Sequence, residues 1–205
     1  MRDATLLPVP MDEIRPTQMT LGFREIAQKR EQWRKHMGKD RKAFLSRHTV
    51  PTVLGPKKRH YLIDGHHLTR AIADEGIDKM MVNVVADLSA LSRESFWVYL
   101  DNRSWCHPYD QDGVRRAFKA IPKKLGDLAD DPYRSLAAAL RRAGGFAKDP
   151  TVFAEFLWAD FLRKRIDRKA AEADFADAIV QALDLARGRE AAYLPGWCGP
   201  DPIEP

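Results

Sequence analysis

Short apolar runs broken by glycine and proline fill this chain up to about residue 90, and apolar residues at helical spacing fill the remainder. Tyr61, Leu62 and Ile63 form one such run, and Asp64-Gly65 stops it, which predicts a buried strand ending in a tight turn. A helix is predicted to start at His66-His67 and to run through Leu68-Thr69-Arg70-Ala71-Ile72-Ala73, stopping before Gly76. Met80 to Asp87 has the richest β-branched content and reads as the best strand; Thr49 to Gly55 is strand-like. Leu6 to Met11, carrying Pro8 and Pro10, reads as an extended lead-in or edge strand, where proline is tolerated. Arg24 to about Met37 predicts a helix with Ile26 and Trp33 inward, and Asp40 to His48 a second, shorter one.

Beyond Ser92 the spacing is helical. Ser92 is placed to cap a helix through Asn102, and a short basic helix is predicted over Val114 to Ala120. Three more helices follow: Tyr133 to Arg142, closed by Gly144-Gly145, then Thr151 to Ile166, then Lys169 to Arg187. Trp197 in the proline-rich tail is expected to tuck onto the body. The pattern thus predicts an α+β chain, a strand-and-helix part over 1–90 and a helical part over 91–205. No flexible linker marks Leu88 to Ser92, so the two are expected to pack as one unit.

Composition narrows function only slightly. Hydrophobic residues are 44% and charged residues 31%, the profile of a soluble globular protein. The net charge of +5 favours anionic partners, although a slightly basic solvated surface explains it equally well. Cys106 and Cys198 are far apart and fit no metal-ligand spacing; this usage and the lack of an apolar leader suggest the cytoplasm. No run approaches the length of a membrane span.

The chemistry concentrates at Asp64 to Arg70. Strand, glycine turn and helix start aim main-chain N–H groups and a positive dipole end at an anion. Gly65 lets the backbone come close, His66 and His67 can donate, and Thr69 and Arg70 add a hydroxyl and a guanidinium. Asp64 beside bound phosphates is suited to general-base work or to holding Mg²⁺. The same residues also read as a structural turn with satisfied polar side chains, and Asp64 as a helix cap. Lys57-Lys58-Arg59 reads as a basic turn, solvated or phosphate-facing. His107, Tyr109, Asp110 and Asp112 form a polar loop able to close a site. Arg134 reads as an anion anchor or as a buried partner of Asp131.

Ile63-Asp64-Gly65-His66-His67-Leu68-Thr69-Arg70-Ala71 resembles the nucleotide-phosphate signature of the ParB/sulfiredoxin superfamily. In ParB partition proteins this stretch is Gly-Glu-Arg-Arg-x-Arg-Ala; in the free serine kinases it begins Asp-Gly-His. Leu68 stands where ParB has its second arginine, and the sulfiredoxin cysteine is absent. Further segments, Arg15-Pro16-Thr17-Gln18 with Gly22 and Glu25, then Asp131 to Leu136, Ala143-Gly144-Gly145 and Phe153 to Ala159, are similar to a family of ParB-like nucleases spanning nearly the whole chain.

The resemblance implies a ParB/sulfiredoxin-like small mixed sheet with helices, followed by a packed helical region. It implies an ATP or ADP site with Mg²⁺, where Gly65, His66, His67, Thr69, Arg70, Thr17 and Gln18 bind nucleotide and Asp64, Glu25 and His66 act on it. The expected activity is a nucleotide-dependent phosphotransferase or nucleotidase on a small molecule. A DNA-associated nuclease or clamp and a non-catalytic binder of an anionic metabolite are the alternatives; the former lacks an evident helix-turn-helix.

Overall fold

The computed structural model describes residues 5–36 and 48–200. The helix expected over Asp40 to His48 lies almost wholly outside them. Two compact units emerge: residues to Leu21 with Glu25–Asp130, and Gly22–Arg24 with the chain from Asp131 onward. The division therefore falls at Asp130/Asp131 rather than near residue 90, because the segment after the third helix stays with the sheet.

The first unit holds β1 (Thr5–Pro10), β2 (Ile14–Arg15), β3 (Thr20–Leu21), most of α1 (Phe23–His36), β4 (Val50–Gly55), β5 (Arg59–Leu62), α2 (His66–Asp74), β6 (Lys79–Asp87), α3 (Arg93–Asn102) and β7 (Ala129–Asp130). Five strands form a mixed sheet in the order β1-β6-β4-β5-β2. β4 and β5 make an antiparallel hairpin, β6 lies parallel to β4, and β1 runs antiparallel to β6. The two-residue β2 runs parallel to β5, with Arg15 opposite Tyr61. β1 is an edge strand, as its prolines require.

Alternation along the strands builds two cores. Val9, Ile14, Val50, Leu62, Met80 and Val82 face Ile26 and Trp33 of α1 and Ala71 and Ile72 of α2. Tyr61 and Val53, on the opposite face, meet Phe96, Trp97 and Leu100 of α3. Where Thr52 pairs with Val84 and Val53 with Ala86, Val85 is an extra residue in β6, and this bulge turns β6 from the first core at Val82 and Val84 to the second at Ala86. Leu62, Ile72, Phe96 and Leu100 are fully buried, each contributing about 1.5–3 kcal/mol.

The second unit is helical. α4 (Pro132–Arg142) carries an almost entirely buried sequence, with α5 (Ala154–Arg163), α6 (Arg168–Ala173) and α7 (Phe175–Arg187) around it. Asp131 caps α4 by accepting from the Tyr133 N–H, and both its oxygens also accept from Arg163. Arg163 is thus a direct, two-pronged partner of Asp131, and the buried Arg134 guanidinium lies 3.5 Å over the Phe156 ring. Gly144 takes φ +85° and the Gly145 N–H reaches the Leu140 carbonyl, closing α4 as its Gly-Gly pair predicts. Trp197 packs on this core.

Three helix readings change. Val114 to Ala120 is not a helix: Val114 folds back on Asp110, and only Phe118–Ala120 makes a 3-10 turn. The helix over Thr151 to Ile166 shortens to Ala154–Arg163, starting after Phe153 in a left-handed conformation. Lys169 to Arg187 splits, because Asp174 breaks one helix and caps the next through the Asp177 N–H.

Candidate functional site

Ile63 extends the hairpin by donating to the Pro51 carbonyl, and the chain then reverses through exposed Asp64. Gly65 sits at φ +80°, ψ 18°, and a Cβ there would come within 2.8 Å of Val50. Both the left-handed backbone and the lack of room demand glycine. Asp64 Oδ1 accepts from the Gly65 N–H at 2.7 Å, which stiffens the turn and leaves the carboxylate at the surface. α2 begins at His66 without a side-chain cap. Its first turn presents main-chain N–H groups along the helix axis.

The side chains of the motif divide by role. His66 is buried, and its Nε2 accepts from the Thr17 N–H at 3.1 Å. That nitrogen therefore carries no proton, and it is engaged in holding the Thr17 loop. Thr17 Oγ1 donates to the Leu62 carbonyl at 2.7 Å, pinning the loop beside the end of β5. The Thr17 carbonyl accepts from the His107 N–H, and Gln18 bridges to His107. Thr69 is buried, and its hydroxyl donates to the Gly65 carbonyl.

Arg70 turns away from the helix start. Its Nε binds Asp74 at 2.8 Å, and its Nη1 donates to the Leu125 and Gly126 carbonyls. Leu68 packs on the sheet core, which explains an apolar residue where ParB has arginine. His67 is half-buried in the first turn of α2. Glu25 pairs with Lys29 on its own helix at 3.6 Å. The structure thus brings Thr17, His66, Gly65, Asp64 and Thr69 together. It gives Arg70 to the 125–126 turn and Glu25 to α1.

Of two further supports, the sequence reading missed Glu75 and named Asp110 only as one of several residues in a polar loop. Glu75, just past α2, binds Arg30 and Arg34 of α1, and these guanidinia hold its carboxyl down at about 2. Asp110 organises the polar loop. Burial alone would raise its carboxyl, but N–H groups of Val114 and Asp112 and the Arg116 guanidinium hold it below the usual range. Each acid sits beside a turn signal, Gly76 and Gly113, the one hint available in the residues. Burial, with Asp101 nearby, pushes the Cys106 thiol up to about 12, so it stays a neutral thiol. Among the described residues no three His, Cys, Asp or Glu side chains gather to hold a metal ion. Nor is any helix there long and apolar enough to cross a membrane.

With this geometry in hand, comparison with known families is direct. Residues 7–164 match the family described as "Putative ParB-like nuclease". The chain belongs to that ParB-like family. It is also similar to the crystal structure of protein Atu1540 from Agrobacterium tumefaciens, at 48% identity and a TM-score of 0.91. That likeness covers 97% of this chain and 99% of the other. No curated protein matches it. Neither similarity reaches the free serine kinases, so the Asp-Gly-His likeness remains one of motif alone.

Proposed function

We propose that the start of α2 in this ParB-like protein holds the phosphates of an adenine nucleotide, ATP or ADP, for phosphoryl transfer to, or hydrolysis from, a small molecule. The observation that carries this reading is the exposed Asp64 carboxylate set one glycine before an uncapped helix start. The helix N-terminus attracts phosphate, and His67 and the backbone at Gly65 lie beside it. His66, Thr17 and Gln18 act as positioning residues that hold the Thr17 loop beside the helix start. Thr69 and Arg70 act from within and beneath the helix.

Asp64 is the group available to accept a proton from the attacking hydroxyl or water. A Mg²⁺ ion would be held here by Asp64 together with the nucleotide phosphates, since among the described residues no cluster of His, Cys, Asp or Glu completes a shell. It would neutralise phosphate charge. Catalysis here rests on positioning and charge.

The test is turnover of ATP or ADP by Asp64→Asn. A fall of about 10²–10⁴-fold with nucleotide still bound is the expected result; unchanged turnover ends the role of Asp64. The family description favours a second reading, a DNA-associated nuclease or nucleotide-switched clamp. It predicts a salt-sensitive gel shift on duplex DNA; absence of any shift at low salt removes it.

A further inference from the structure

The sheet face opposite α2 carries a cavity of about 280 Å³. Its wall is aromatic: Tyr61, Trp97 and Phe118, with Trp97 and Phe118 stacked at 5.9 Å and 12° between planes. Its rim holds Arg15, Lys57, Arg59, Arg93 and Lys123, and among the described residues no acid lines it. Five cations equal the whole chain's formal excess of +5, so the remaining charge cancels. None of the five makes an ion pair with a carboxylate among the described residues. Such a cluster is costly to assemble unless an anion joins it.

Two details show that the rim is built. Lys57 and Lys58 both take left-handed backbone, at φ 64° and 55°, a strained choice for residues with side chains. Arg15 donates through Nη1 to the Lys123 carbonyl, closing one side, while its buried Nε has no hydrogen-bond partner among the described residues. Tyr61 faces this cavity, and its neighbour Leu62 faces α2, so the pocket is separate from the helix start.

We propose that this pocket docks single-stranded nucleic acid, receiving one unstacked base against Tyr61, Trp97 and Phe118 while successive phosphates lie on the cationic rim. Planar aromatic walls stack bases without regard to identity, and a basic groove follows the backbone. The volume admits one nucleotide unit, not a base pair. Five cations exceed what one phosphate neutralises, which favours a strand over a free mononucleotide.

The test is fluorescence anisotropy of a labelled oligothymidylate of about eight nucleotides on the full chain across a salt series. Log affinity should fall linearly with log salt, with a slope of about −2 to −3.5 for three to five phosphates. Lys57→Glu with Arg59→Glu, both exposed, should weaken binding at least about tenfold, with circular dichroism unchanged. Phe118→Ala should weaken it without altering the slope. Asp64→Asn should leave it unchanged, which separates this site from the nucleotide site proposed above. Equal affinity for a duplex of the same length, saturation by thymidine monophosphate without strand binding, no binding at low salt, or indifference to the charge reversals would each overturn the proposal.

Discussion

Position 65 shows how narrowly one residue is specified. Its φ of +80° and the 2.8 Å approach of a Cβ to Val50 both oppose any side chain. Gly65→Ala should therefore lose about 1–2 kcal/mol, read as a lower urea midpoint at constant slope. His66 is specified differently, by a donor 49 positions away. Replacing it with phenylalanine leaves the buried Thr17 N–H without an acceptor and should cost about 1–3 kcal/mol. His66→Gln, which keeps an acceptor, should recover part of that. The glycine was readable from the sequence, since an Asp-Gly between an apolar run and a helical pattern is a turn. The partner of the imidazole was not, because spacing lists possible acceptors without saying which loop folds back. Arg70 lies between these cases: Asp74 stands four residues on, a visible helical pair, whereas the Leu125 and Gly126 carbonyls it also reaches are too distant in the chain to leave a pattern.

Among the elements, α1 and α2 are joined by one carboxylate. Glu75 reaches Arg30 and Arg34, and its carboxyl lies at about 2 in the fold. A carboxyl depressed on folding stabilises above its ordinary value near 4.5 and loses that contribution as pH falls toward 2. With Arg34 well exposed, solvent screens the pair and keeps its contribution small. Denaturation at pH 6 and pH 3 should show wild type losing more stability than Glu75→Gln; equal losses would remove the clamp. Long elements with clear caps were legible, including Ser92 before α3. Asp131 and Asp174 also cap, and because helical spacing continues across Asp174 the periodicity alone reads two helices as one. Val114, Ala117 and Phe118 stand at helical spacing, which is why Val114 to Ala120 reads as a short helix. Asp110 captures the Val114 N–H instead.

At the scale of the molecule, strand order and unit boundary arise from contacts too short to leave a pattern. β2, β3 and β7 are two residues each, yet β2 completes the sheet beside β5 and β3 pairs with β7. That last pairing keeps residues up to Asp130 with the sheet and moves the boundary forty residues beyond the change in periodicity. The mixed sheet, the helical second unit and the family resemblance were all legible, the last because several segments agree in order over residues 7–164. The cationic aromatic pocket was half legible, as a basic turn whose aromatic wall comes from α3 and the 118–123 segment.

The account turns on nucleotide at the start of α2, and one experiment reaches it most directly. Wild type and Asp64→Asn are melted with and without ATP or ADP and Mg²⁺, with product release followed in parallel. At a hundredfold excess over Kd, binding adds about 2.7 kcal/mol, or roughly 5–10 °C for a chain of this size. The account predicts that shift in both proteins and turnover in wild type alone. No shift in either protein with any nucleotide would contradict it.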